Sequence, residues 1–566
     1  MPNRSLNRPL SSLEECKARF GRGEARRAEK LLAALSQLRF TETAALLRFH
    51  ETLLFLRAFP QGAGVVTRTE RILDSFHQRV EQLRASGAGM KAFDTFEHSG
   101  IAGTTMEDTL SFGVVGWLAR RLPGKVEIVW DEYEEERAMA STWPRFLPLL
   151  DEDGFVEADI PWQRWLRAAR DRGSELEWLI RRFEQLPLSA REQAELYESL
   201  RLPVRWKLDN RKLSRTRNWL RSRSTYYHSE PLIPRSRINL DRELSQPGPV
   251  LKKLPLMQGK AVMEMIREVM LVRYRELYGT TLGDPRSVVR AEVGRGVVIH
   301  LWSLPPDRRL PLRAYVAGFT LKNGVPINYI EAIGLCDWME VGFNTFYTFR
   351  NGETAWIYAQ ALRCLHRHTG VKCISVYPYQ IGQGNDEALE SGAFWFYRKL
   401  GFRPGRPDLL RLAEREEKKI AADPKYRTPR RTLKRLAEEH MFYELPGTAK
   451  GVWDGFSTRN LGLRVNRRMA REFGGDSGCI RKASVGSVSR ALGVQPERWS
   501  SQEQQAFENW ALVLALIPDL ARWTAEEKRD LVEILHAKSS LNEMRYLRLT
   551  QQHPRLRREL LRLGTR

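Results

Sequence analysis

Apolar residues recur at three- and four-residue spacing along the first part of the chain: Leu31, Leu32, Leu35 and Leu38, then Ala45, Leu46 and Leu47. That spacing places them on one helical face, and Thr41-Glu42-Thr43 can cap a second helix between the two groups. Phe59-Pro60-Gln61-Gly62-Ala63-Gly64 breaks the run, and another helix is expected to about Ala85. The small-residue turn His98-Ser99-Gly100-Ile101-Ala102-Gly103-Thr104 has two glycines three apart, as a phosphate cradle would. It lacks the P-loop lysine and a preceding strand, so a packing turn is expected. Asp108 to Leu122 reads as a helix, Lys125 to Asp131 as one strand, and the acidic run 131–136 as a solvated helix start. Helices return over 160–202, where Ser189 and Glu192 have capping-box spacing. Pro231, Pro234, Pro247, Pro249 and Pro255 mark 229–255 as a linker.

From Met257 the pattern changes. A long helix to Tyr278 is followed by strand-like runs Ala291–Leu304, Leu312–Leu321 and Val325–Leu335. Asn323-Gly324 is the hairpin turn between the last two. Met339–Phe349 predicts a fourth strand, Arg350–Ala355 a tight turn, Trp356–His368 a helix and Val371–Tyr377 a further strand. Leu389, Ala393, Phe396 and Leu400 then share one helical face, with Gly401 where a left-handed cap is wanted. Beyond Pro404 the periodicity is helical again, as at Phe507, Trp510, Leu514 and Ile517. The fold class is therefore α+β. It comprises a mostly helical region 1–228, the Pro-rich linker 229–255, a central mixed β-sheet domain 256–404 and a basic helical region 405–566.

The segment Ala393-x-x-Phe396-Tyr397-x-x-Leu400-Gly401-Phe402 resembles the last conserved segment of the GNAT superfamily of N-acyltransferases, N-x-x-A-x-x-F/L-Y-x-x-L-G-F. Glu390 stands where that family has Asn. The resemblance covers roughly 256–404 and implies a GNAT-like sheet that takes acetyl-CoA or another acyl-CoA as co-substrate and an amine as acceptor. It makes Tyr397 the general acid for the departing thiolate. The family's pyrophosphate loop, Q/R-x-x-G-x-G/A, aligns with Phe349-x-x-Gly352-x-Thr354, so Arg350, Gly352, Thr354 and Ala355 are the expected cofactor contacts. A helix N-terminus there suits a pyrophosphate, although Glu353 would oppose the anion. The general base should be a carboxylate on or just before the fourth strand, which singles out Asp337 and Glu340, with Glu331 a weaker candidate.

Net charge adds a second theme. The chain has 92 Lys and Arg against 69 Asp and Glu, a formal charge of +23, and such a field attracts polyanions. Arginines among Trp206, Trp219, Tyr226 and Tyr227 make 201–223 a candidate contact for single-stranded nucleic acid, and 427–435 is a second basic knot. The bland reading of both is a solvated helix face. Five irregularly spaced cysteines fit reduced thiols, and no run of 18 apolar residues occurs, so a cytoplasmic protein without a membrane span is expected. Cys364, His366 and His368 alternate on a helix and point about 200° apart, so no metal site is expected. The leading function is acyl transfer from acyl-CoA to an amine. The rivals are an RNA-dependent, aminoacyl-type transferase on the same fold, and a non-enzymatic nucleic-acid or protein-interaction factor with a degenerate domain.

Overall fold

The computed structural model describes residues 4–147, 161–170, 173–209, 213–220, 222 and 224–565. The protein is a mixed α+β chain in two compact units. One comprises 1–221, 227–231 and 264–281, the other 222–226, 232–263 and 282–566.

In the first unit the helix Thr43–Ala58 is apolar on nearly every side and is buried along most of its length, which is what an all-round hydrophobic helix requires. His50 on it is buried and meets the Thr216 hydroxyl at 2.9 Å. The turn 98–104 packs against its own unit, and several of its backbone donors are spent there. Ala102 N–H donates to the Thr216 hydroxyl and Gly103 N–H to the Leu208 carbonyl. Gly100 has φ +81°, and a Cβ there would lie 2.2 Å from the Val272 carbonyl oxygen, so only glycine fits. The region is not purely helical. Strands β1 (Thr105–Thr109), β2 (Val126–Ile128) and β3 (Pro203–Lys207) form an antiparallel sheet with β3 central. Trp206 on β3 enters a core with Trp143, Trp162 and Phe183.

The second unit is built on a sheet in the order β11-β12-β10-β9-β8-β7-β6-β5-β4. The strands are β4 (Lys252–Lys253), β5 (Val289–Gly294), β6 (Val297–Ser303), β7 (Ala314–Lys322), β8 (Val325–Leu335), β9 (Trp338–Thr345), β10 (Cys373–Val376), β11 (Arg403–Pro404) and β12 (Met441–Glu444). Every pairing is antiparallel except β9 with β10. Asn323 and Gly324 have φ +49° and +80°, the double positive φ of a type I′ hairpin. One face of the sheet carries the helix Thr354–Thr369, whose Tyr358 ring lies 4.9 Å from Phe343 of β9.

Several expected boundaries are corrected. The run 291–304 is two strands around Gly294-Arg295-Gly296, all at positive φ. The helix from Met257 stops at Leu271, and the boundary between the units falls inside it. The helix expected through Leu389 and Leu400 is two short ones, Asp386–Glu390 and Ala393–Arg398, parted by left-handed Gly392. The linker 229–255 contributes β4 and the helix Leu240–Leu244. The domain does not close at 404, because β12 lies between β10 and β11 in the sheet.

Candidate active site

β9 and β10 run parallel through only three pairs, Trp338 with Cys373, Met339 with Ile374 and Glu340 with Ser375. β10 then ends at Val376, while β9 continues to Thr345, paired only with β8. Pro378 explains the departure. It opens the short helix Pro378–Ile381 and holds Tyr377 in an extended conformation. The two strands therefore part immediately beyond Glu340.

Glu340 Oε2 lies 2.9 Å from His440 Nε2, and His440 Nδ1 lies 3.0 Å from Glu439 Oε1. Burial alone would lower the imidazole pKa, but hydrogen bonds to Glu340 and then Glu439 outweigh it and raise it to about 9. At neutral pH His440 is thus an imidazolium donating from both nitrogens. Tyr377 stands edge-on to it at 5.3 Å. Glu340, Gly342 and Asn344 alternate on one face of β9. Glu331 lies opposite Gly342 on β8 and accepts from the Tyr315 hydroxyl. A Cβ on Gly342 would come no nearer than 3.6 Å to any neighbour, the Gln380 side chain being first. A glycine floor therefore separates two anchored carboxylates.

The loop into the helix Thr354–Thr369 is built differently from expectation. Glu353 does not oppose an incoming anion. Its side chain is 0% exposed, bonded to Arg295 and the Ile233 N–H, with Lys322 Nζ at 3.6 Å. Burial brings Lys322 down to about 7 despite that carboxylate. Gly352 N–H is already spent on the Phe349 carbonyl at 2.9 Å. Arg350 is exposed, paired with Glu387 at 2.5 Å and stacked over Tyr347. The Thr354 hydroxyl donates to the Arg350 carbonyl. Thr354 and Ala355 open the helix, which has no side-chain cap, so their N–H groups are among those that intrahelical bonding leaves without a partner.

Two catalytic candidates are corrected. Asp337 sits in the β8–β9 turn with both carboxylate oxygens bonded to Arg557, at 2.6 and 2.9 Å, so it is a clamp rather than a base. Tyr397 is 4% exposed, its ring packed against Tyr358, Phe396 and Phe402. Burial pushes its pKa above the usual phenol value, further from that of a leaving thiol, which makes it a poor acid. Glu340 alone of the expected trio occupies the parting of the strands.

The basic stretch 201–223 is largely folded inward where it is described. Trp206 is buried, Arg215 is buried against Glu51, and Arg205 pairs with Glu107. Residues 210–212, 221 and 223 lie outside the described residues. In 427–435, Arg430 pairs with Asp386 and Glu390. Among the described residues no group of three or more His, Cys, Asp or Glu is arranged to hold a metal, and no helix is long and apolar enough to cross a membrane.

His440 and Tyr377 escaped the sequence reading. The signal for His440 was the run Met441-Phe442-Tyr443, apolar enough for a strand directly after a polar pair. No family model, no curated protein and no solved structure matches this chain.

Proposed function

We propose that the second unit is an acyltransferase that moves an acyl group from a thioester donor, acyl-CoA, to an amine. The observation that carries this reading is Glu340, at the point where two parallel strands part and bonded to the imidazolium of His440. An ammonium group lying over Gly342 would face both Glu340 and Glu331. Glu340 takes its proton, and the free amine attacks the thioester carbonyl. His440, with a pKa near 9, is matched to a thiol of about 8.5, so proton delivery to the leaving thiolate is close to balanced. The proton gained by Glu340 then restores His440 across their shared hydrogen bond, and the second proton of the attacking nitrogen passes to solvent as the tetrahedral intermediate collapses to the amide. Orientation of the two reactants provides most of the remaining acceleration.

A second reading keeps the chemistry and changes the donor. Gly352 N–H is engaged and Arg350 is paired, which leaves a thin seat for a pyrophosphate. An acyl or aminoacyl ester carried on RNA would need no such seat. Titration calorimetry separates the two: saturable micromolar binding of acetyl-CoA supports the first. Absence of binding, with strongly salt-dependent RNA retention, supports the second or a non-enzymatic factor. Loss of acyl transfer in Glu340→Gln, with donor affinity retained, supports the shared chemistry.

A further inference from the structure

The helices Thr458–Phe473 and Ser477–Leu492 take no part in the site above. Residues 458–492 carry eight Lys or Arg and two acids, Glu472 and Asp476. The first helix buries only Leu461. The second buries Ile480, Ser484, Val488 and Leu492, a single stripe at four-residue steps. The opposite face of the second helix is therefore set by Lys482, Gly486 and Arg490, and the outer face of the first by Arg459, Leu463 and Arg467. Arg459, Arg467, Lys482 and Arg490 are exposed, and among the described residues none of them has a carboxylate partner. Other arginines of the pair are engaged within the molecule. Arg468 and Arg471 bond Glu472, and Arg464 bonds the Leu563 carbonyl.

Glycine gives the second, independent observation. Gly462 and Gly486 lie inside these helices with ordinary φ, and a Cβ on either would meet nothing within 4 Å. Neither internal packing nor backbone conformation calls for glycine there, and it weakens a helix interior. What it does allow is close approach of something from outside. Gly486 lies midway between the two free cations of its helix.

The chemistry of the partner follows. Two cations eight residues apart on a helix are separated by about 12 Å, roughly the width of the B-DNA major groove. A-form RNA has a narrow major groove that does not admit a helix. Single strands are held by stacking on aromatic rings, and the one aromatic of 458–492, Phe473, lies beneath Arg468. We infer that this helical pair is a docking surface for duplex DNA that contacts phosphates across a groove without reading sequence. The inference is independent of the acyltransferase reading.

The test is fluorescence anisotropy of a labelled random-sequence duplex with the full chain at about 50 and about 200 mM KCl. Four phosphate contacts predict a log–log salt slope of about −3.6, or roughly 100-fold weaker binding across that range. Lys482→Ala with Arg490→Ala should halve the slope to about −1.8 and leave the thermal midpoint unchanged, since both side chains are exposed. No saturable binding at the lower salt, an unaltered slope in the double variant, or equal binding to duplex RNA of the same sequence or to polyglutamate would overturn the assignment.

Discussion

His440 Nε2 and Glu340 Oε2 lie 2.9 Å apart across 100 residues of chain. The pair exists because β12 enters the sheet beside β10, bringing the residue before Met441 to the end of the β9–β10 pairing. If the pair performs the chemistry, Glu340→Gln should reduce turnover by about 10²- to 10⁴-fold. Acetyl-CoA affinity, read by calorimetry, should be unchanged.

The same pair has a pH signature. His440 has a folded-state pKa of about 9 against 6.5 unperturbed. The stability it contributes is complete below about 6.5 and is lost as pH rises through about 9. Lys322, lowered to about 7, acts with the opposite sign over part of this range. The difference between wild type and His440→Gln isolates the histidine. Urea midpoints should differ most near pH 6 and converge above about pH 9.5. A constant difference would mean that His440 is neutral throughout.

Tyr397→Phe should leave turnover within about threefold, because a packed phenol with a raised pKa contributes little as an acid. Steady-state rates with saturating donor decide this, and a hundredfold fall would return Tyr397 to the reaction.

Asp337 and Arg557 share a two-point ion pair that ties the helix Pro554–Gly564 to the β8–β9 turn, with Arg557 stacked over Trp453. Asp337→Asn should cost about 1.5–3 kcal/mol, the worth of charge-assisted hydrogen bonds in a half-buried setting. Urea unfolding measures the loss, and turnover per folded molecule should be unaffected.

Glu543 is buried against Lys538 at 2.6 Å, with Arg309 at 3.7 Å. Glu543→Gln leaves two buried cations without their carboxylate and should cost about 3–5 kcal/mol. Adding Lys538→Met should recover part of that loss, a coupling that equilibrium unfolding of the single and double variants resolves.

The α+β class, the two-residue hairpin at Asn323-Gly324 and the helix expected over Trp356–His368, which runs from Thr354 to Thr369, were legible because each depends on neighbours within a few residues. Gly294-Arg295-Gly296 is hidden in the sequence, since the apolar alternation on either side continues in phase across it. Glu340 stands out in the sequence only by its place on a strand, and the structure puts it at the end of the β9–β10 pairing. Asp337 is equivalent to it in local sequence, and what separates the two is Arg557, 220 residues away, which holds the Asp337 carboxylate.

Local sequence by itself determined periodicity, turns and the excess of positive charge, because backbone preference and side-chain spacing act over one or two turns of chain. Only the tertiary structure decided that β12 inserts between β11 and β10, that Glu353 faces inward and that Tyr397 is packed. Those outcomes depend on which distant charge or ring arrives beside each residue, and no short-range preference encodes that arrival.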